Sequence, residues 1–195
     1  MDLSETYRSI VKKYFPNALI VADRFHGIRL VNQHFLKAWQ LLDPVGRKNR
    51  GLLSLMRRHE INLKPEQKIN LENYLGLNPV LKEIYDFKQR LCLLLRVKSK
   101  NKTALRPIVH DLIDMIKKLR QTTLEPLQVL GQTLDSWKEE IGRMLRFSRS
   151  NGITEGFHTK MEMLSRRAFG FRNFTNYRNR VLAHCGWDGV FAIRN

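Results

Sequence analysis

Cysteine is almost missing from this chain: Cys92 and Cys185 are the only two among 195 residues. Neither belongs to a Cys-x-x-Cys pair or a Cys/His cluster, which excludes a disulfide framework and a zinc site of ordinary spacing. Long apolar runs are missing too, and none approaches the roughly 20 residues that cross a bilayer. The amino terminus, Met1-Asp2-Leu3-Ser4-Glu5, is polar and acidic. No secretory leader is expected from it, and a reducing cytoplasm is the expected compartment. No internal repeat, low-complexity tract or obvious linker interrupts the chain. Acidic residues are scarce: 18 Asp and Glu stand against 35 Lys and Arg, a formal charge of +17. Such an excess favours a polyanionic partner, because each neutralised phosphate releases condensed counterions. What is present in quantity is apolar. With 43% hydrophobic residues the chain can bury a core, which excludes general disorder. Its length suits one domain, or one domain with an insert.

The first segment, 1–44, reads as helix, strand, helix. Ser4 is placed to cap a helix with Tyr7, Ile10, Val11 and Tyr14 on one face, and Pro16-Asn17 ends it. Ala18 to Ala22, containing Ile20 and Val21, reads as a short strand. That strand would deliver Asp23 to its carboxyl end, where open α/β sheets hold their ligands. A second amphipathic helix is predicted from about 25 to 42, with Ile28, Val31, Phe35 and Trp39 inward and Asp43-Pro44 as its stop. Gly46-Arg47-Lys48-Asn49-Arg50-Gly51 reads as a basic loop bounded by glycines. It is either a solvated connector or a phosphate contact through Arg47, Lys48 and Arg50.

Segment 45–149 is helical throughout. Pro65 and Pro79 suit first-turn positions, and Asn78 suits a cap. Three stripes fall at helical spacing: Ile84, Phe87, Leu91, Leu94 and Leu95; Ile108, Leu112, Met115, Ile116 and Leu119; Leu127, Leu130, Leu134 and Trp137. Such stripes are core, and none resembles a cofactor box. The segment is an all-α insertion between the residues that carry candidate chemistry.

In segment 150–195, Asn151-Gly152 signals a turn, after which Ile153, Phe157, Met161, Leu164 and Ala168 form a helical stripe. Glu155 follows Ile153 by two residues, roughly 200° around the helix. Its carboxylate therefore sits in the first turn, away from the stripe and ahead of Lys160. His158 and Thr159 share that side. An acid so placed in a basic neighbourhood can ligate a metal beside bound phosphate. Further on, Arg166, Arg167, Arg172, Arg178 and Arg180 interleave with Phe169, Phe171, Phe174 and Tyr177. That mixture suits backbone contacts and base stacking, with the aromatics mostly in the core and several arginines on nucleic acid.

Four blocks occur in a telling order: Met1 to Arg8, Phe15-Pro16-Asn17-Ala18, Ile20 to His26, and Asn151 to Phe174. Together they resemble the DDE transposases of bacterial insertion sequences, and among them the family written ISL-three. The resemblance implies a ribonuclease H-like α/β core, of which this mainly α chain would hold one strand and a large all-α insertion. It implies three carboxylates holding two Mg²⁺ (or Mn²⁺) ions for cleaving and joining DNA strands. Asp2 matches the second catalytic aspartate and Glu155 the glutamate, both as metal ligands. Asp23 and His26 match an Asp-x-x-His signature that lies beside the site and orients it. The implied partner is DNA, both element ends and target, contacted by Arg47, Lys48, Arg50, Lys160, Arg166, Arg167 and Arg172. A full-length transposase or a second copy is a further partner; a membrane or a small-molecule substrate is not. The family's first aspartate lies upstream of the position matching Asp2. The sequence therefore reads as the C-terminal part of a transposase, with weak metal binding and no activity expected of it alone. The alternative is a basic helical DNA-binding remnant that does not cut.

Overall fold

A computed structural model describes residues 1–147 and 152–186, and these are almost entirely helical. In chain order the helices are α1 (Glu5–Tyr14), α2 (Arg24–Leu42), α3 (Pro44–Lys48), α4 (Arg50–Arg57), α5 (Pro65–Gly76), α6 (Pro79–Arg96), α7 (Lys102–Gln121), α8 (Glu125–Ser136), α9 (Lys138–Arg146), α10 (Gly152–Arg167) and α11 (Phe174–Cys185). A single 3₁₀ turn, Glu60–Asn62, joins α4 to α5. No described helix is long and apolar enough to cross a membrane. The chain divides into two units, Met1–Ser148 and Arg149–Asn195.

The first unit is built around α2. Its inward positions Val31, Phe35, Ala38 and Trp39 are buried, and it packs on α6 and α8. The main core joins this face to Leu91 and Leu95 of α6, Leu112, Met115, Ile116 and Leu119 of α7, and Leu127, Leu130 and Leu134 of α8. Trp137, Ile141, Met144 and Leu145 close it from the side of α9. A second cluster gathers Trp39, Leu55, Met56, Leu71, Leu75, Leu81 and Tyr85. Gly131 sets the close approach of α7 and α8: a Cβ there would lie 2.8 Å from the Arg120 backbone nitrogen and 2.8 Å from the Leu119 Cβ. Arg24 fastens two helix ends. Its guanidinium donates to the carbonyls of Leu95 (2.9 Å) and Val97 (3.0 Å) at the end of α6, and of Met144 (3.1 Å) in α9. These are carbonyls that helix termini leave without intrahelical donors.

Three local expectations are corrected. Residues 18–22 form no strand, and no strand exists among the described residues. Ile20 and Ala22 are buried, but against helices. The backbone polar groups of this segment are met singly: Ala22 N–H donates to the Glu140 carbonyl at 3.1 Å, and the Ile20 carbonyl accepts from Arg143 at 3.2 Å. With those groups satisfied, no ladder is needed. The expected basic loop at 46–51 is helical instead. Pro44 opens α3, Asp43 caps it through Gly46 N–H (2.8 Å), and Asn49 caps α4 through Leu52 N–H (3.1 Å). Ser4 and Asn78 occupy cap positions without making the capping bond. Asn78 donates its side-chain amide back to the Tyr74 carbonyl at 3.3 Å. The apolar face of α1, as expected on one side of the helix, is largely uncovered: Tyr7, Ile10 and Tyr14 are exposed, as are Phe15 and Leu19 beyond it.

The second unit pairs α10 with α11. Asn151 of the expected turn, and the side chain of Ile153, lie outside the described residues. Two short helices have little surface to hide a core behind, and the expectation that the aromatics would be buried fails. Phe169 is fully exposed at 101% and Phe174 at 75%. Only Phe171 and Tyr177 half-bury each other, with ring centroids 5.2 Å apart.

Candidate functional site

The N-terminal carboxylate is held in place by backbone bonds rather than by its own helix. The Met1 ammonium donates to the Val21 carbonyl at 2.7 Å, and Asp23 N–H donates to the Met1 carbonyl at 2.7 Å. This doubled tie draws Asp2 alongside the start of α2. There the Asp2 carboxylate lies 3.1 Å from Nδ1 of His26, and the Asp23 carboxylate lies 3.4 Å from the same nitrogen. Neither contact has hydrogen-bond alignment, and the Nδ1 of His26 is buried without a hydrogen-bond partner. Asp23 is also the N-cap of α2, accepting from the His26 backbone N–H at 3.2 Å, and only 10% of its side chain is exposed. Asp2 has no such structural duty, and 46% of its side chain faces solvent. Asp2, Asp23 and His26 were named through the resemblance, and both carboxylates lie near the His26 imidazole.

Glu155 belongs to the second unit, in the first turn of α10, and it is exposed. The Thr159 hydroxyl donates to the Glu155 carbonyl at 3.0 Å, which engages it locally, while His158 is exposed. Hard carboxylate oxygens suit Mg²⁺ or Mn²⁺. The donor chemistry of each carboxylate, Asp2 in the first unit and Glu155 in the second, therefore suits such an ion. Among the described residues, no group of three His, Cys, Asp or Glu side chains is arranged to hold a metal.

The cationic candidates differ in how free they are. Arg47 is half-buried with its guanidinium 5.8 Å from the Trp39 ring centroid, so part of its side chain serves packing. Lys48 and Arg50 are exposed at the junction of α3 and α4. In α10, Lys160 lies 5.9 Å from the Phe157 ring, and Arg166 pairs with Glu162 at 3.6 Å. Arg167 borders a shallow groove with Lys160 and His184. Arg172 borders another with Ser165, Phe171, Phe174 and Tyr177.

Two features of the site escaped sequence reading. One is Arg8, which reaches from α1 to the buried Glu140 of α9 at 2.9 Å and so helps hold the segment that carries Asp2. No local pattern marks that pair. The other is the backbone of Phe169, which is left-handed at φ 52°. Its only sequence signal is the glycine that follows.

Comparison with protein families finds a match over residues 1–181 to the model described as transposase, for the DDE enzymes of the ISL3 type. Neither a curated protein nor a solved structure matches the chain significantly.

Proposed function

The chain belongs to the ISL3 family of DDE transposases, and we propose that it acts as the C-terminal part of such an enzyme in cleaving and joining DNA strands. The observation that carries this reading is the convergence of Asp2 and Asp23, at 3.1 and 3.4 Å, on one nitrogen of His26. Asp2 offers an exposed carboxylate as an oxygen donor. His26 lies against that carboxylate, and Asp23 fixes the start of α2 as its cap. Glu155 offers the second exposed carboxylate, from α10. Divalent ions held by carboxylates of this kind would stabilise the attacking and leaving oxygens of a phosphodiester. Metal binding by either carboxylate without the family's full set is weak. The arginines and lysines of α10 and the loop after it neutralise DNA phosphates, as do Lys48 and Arg50. DNA ends and target are thus the partners, and the cytoplasm is the place of action.

The proposed ribonuclease H-like architecture gains support from α1. Its uncovered side chains Tyr7, Ile10 and Tyr14 form an apolar face of the kind that packs on a sheet. A second reading, DNA binding without cutting, rests on the net charge of +17, which suits a polyanion whether or not strands are cut.

The test is nicking of supercoiled DNA by the purified chain with Mg²⁺ or Mn²⁺, beside Glu155→Gln. The expected result is salt-sensitive binding with no nicking above background. Nicking that Glu155→Gln abolishes would show the third ligand being supplied between copies. Nicking that persists in Glu155→Gln would overturn the role given to that glutamate.

A further inference from the structure

We propose that the loop joining α10 to α11 is a stacking site for an unpaired base of DNA, with Phe169 as the ring that receives the base. The proposal deepens the DNA-binding reading above and rests on it.

The first observation is a conformational cost with no packing return. α10 ends in two bonds that turn the chain back: Gly170 N–H donates to the Ser165 carbonyl at 2.9 Å, and Phe169 N–H to the Arg166 carbonyl at 3.1 Å. This closure needs a left-handed residue at the position of Phe169, a place that glycine fills without strain. Gly170 follows with φ 93°. A phenylalanine at φ 52° is disfavoured there, because its Cβ crowds the following carbonyl. Strain of this kind is ordinarily offset by contacts, yet the Phe169 ring is fully exposed at 101%. The backbone thus holds a bare aromatic ring outward at the tip of a helical hairpin.

The second observation is what surrounds the ring. Between 152 and 186 there are six Lys or Arg and two Glu, so the field around the loop is cationic. Three residues beyond Phe169 lies Arg172, on the rim of the groove formed with Phe171, Phe174 and Tyr177. Phe174 stands 6.4 Å from the Tyr177 ring, and the Arg180 guanidinium lies 5.7 Å from the Phe171 ring. Exposed rings interleaved with guanidinium groups match a strand whose bases are unstacked and whose phosphates lie alongside. A duplex offers only phosphates and groove edges to such a loop, whereas an unpaired base offers a face. A protein partner seated on these rings would have to bury the neighbouring arginines, and the charge argues against it.

The experiment measures binding of the full chain to a labelled single strand and to the same sequence as a duplex, by fluorescence anisotropy at two salt concentrations. Phe169→Gly is expected to weaken single-strand binding about tenfold and to leave duplex binding unchanged. Its melting temperature should not fall, since glycine is at ease in the left-handed position. Phe169→Tyr should keep the single-strand affinity, because the ring is retained. Equal loss on both DNA forms, or loss on neither, would overturn the stacking role while leaving a basic DNA-binding surface intact. Failure of the unaltered chain to bind either form would overturn the DNA reading itself.

Discussion

Arg8 and Glu140 meet at 2.9 Å, and this ion pair joins the segment bearing Asp2 to the helical body. Only 3% of the Glu140 side chain is exposed and 16% of the Arg8 side chain. The guanidinium also lies 4.6 Å from the Trp137 ring centroid and donates to the Ser136 carbonyl at 3.0 Å. Because α1 contributes no buried residue of its own, this contact carries much of its attachment. Arg8→Met leaves a buried carboxylate without its cation and is expected to cost about 3 kcal/mol. Pairing it with Glu140→Leu should recover most of that loss. Urea unfolding followed by tryptophan fluorescence checks both, and an additive double variant would show the two residues to be independent.

Lys88 gives the first unit a distinct alkaline signature. It is buried in α6, donates to the Met56 carbonyl, and lies 4.9 Å from the Tyr85 ring. Burial pushes its ammonium down to about 8. The folded state therefore loses the proton at lower pH than the unfolded chain, which binds more protons between about 8 and 10.5. In that window the Lys88 contribution should raise stability with pH, by on the order of 3 kcal/mol in all. Lys88→Met should remove this rise and should not destabilise the protein at pH 7, where the lysine is a buried charge. Urea midpoints at pH 7 and pH 9.5 compare the two proteins.

For the second unit, the expectation concerns salt. If Arg167 and Arg172 contact phosphates, each change to Ala reduces the slope of log affinity against log salt by about 1 on duplex DNA. Arg166 is partly engaged by Glu162, so Arg166→Ala should reduce it less. Arg47→Ala should act mainly on stability, through the exposed Trp39 ring it leaves behind. Titrations at three salt concentrations separate these outcomes, and slopes unchanged from the unaltered chain in all four variants would remove the arginines from the interface.

Much of the helical framework was legible because apolar residues recur at helical spacing and must be buried. The stripes of α2, α7 and α8 are core in the structure, and Pro65 and Pro79 open their helices as read. The strand was not legible as its absence, since a short apolar segment looks alike whether it joins a sheet or lies against helices. Ile20 and Ala22 are buried in the second way. Glycines flanking the run 46–51 suggested a loop, but Asp43 and Asn49 caps outweighed them. Around the candidate site, the resemblance paired Asp23 with His26, and the cap that Asp23 makes on the His26 N–H brings them together. The approach of Asp2 depends instead on bonds from Met1 to Val21 and Asp23, which no periodicity encodes. Nor does residue type reveal a phenylalanine at positive φ, which runs against its own preference.

The most direct measurement is Mn²⁺ binding to the full chain by electron paramagnetic resonance, with Asp2→Asn and Glu155→Gln each compared with the unaltered protein. The expected result is weak binding that each substitution reduces, as proposed for two carboxylates that serve as metal ligands. Binding left unchanged by either substitution would contradict the metal role proposed for that carboxylate.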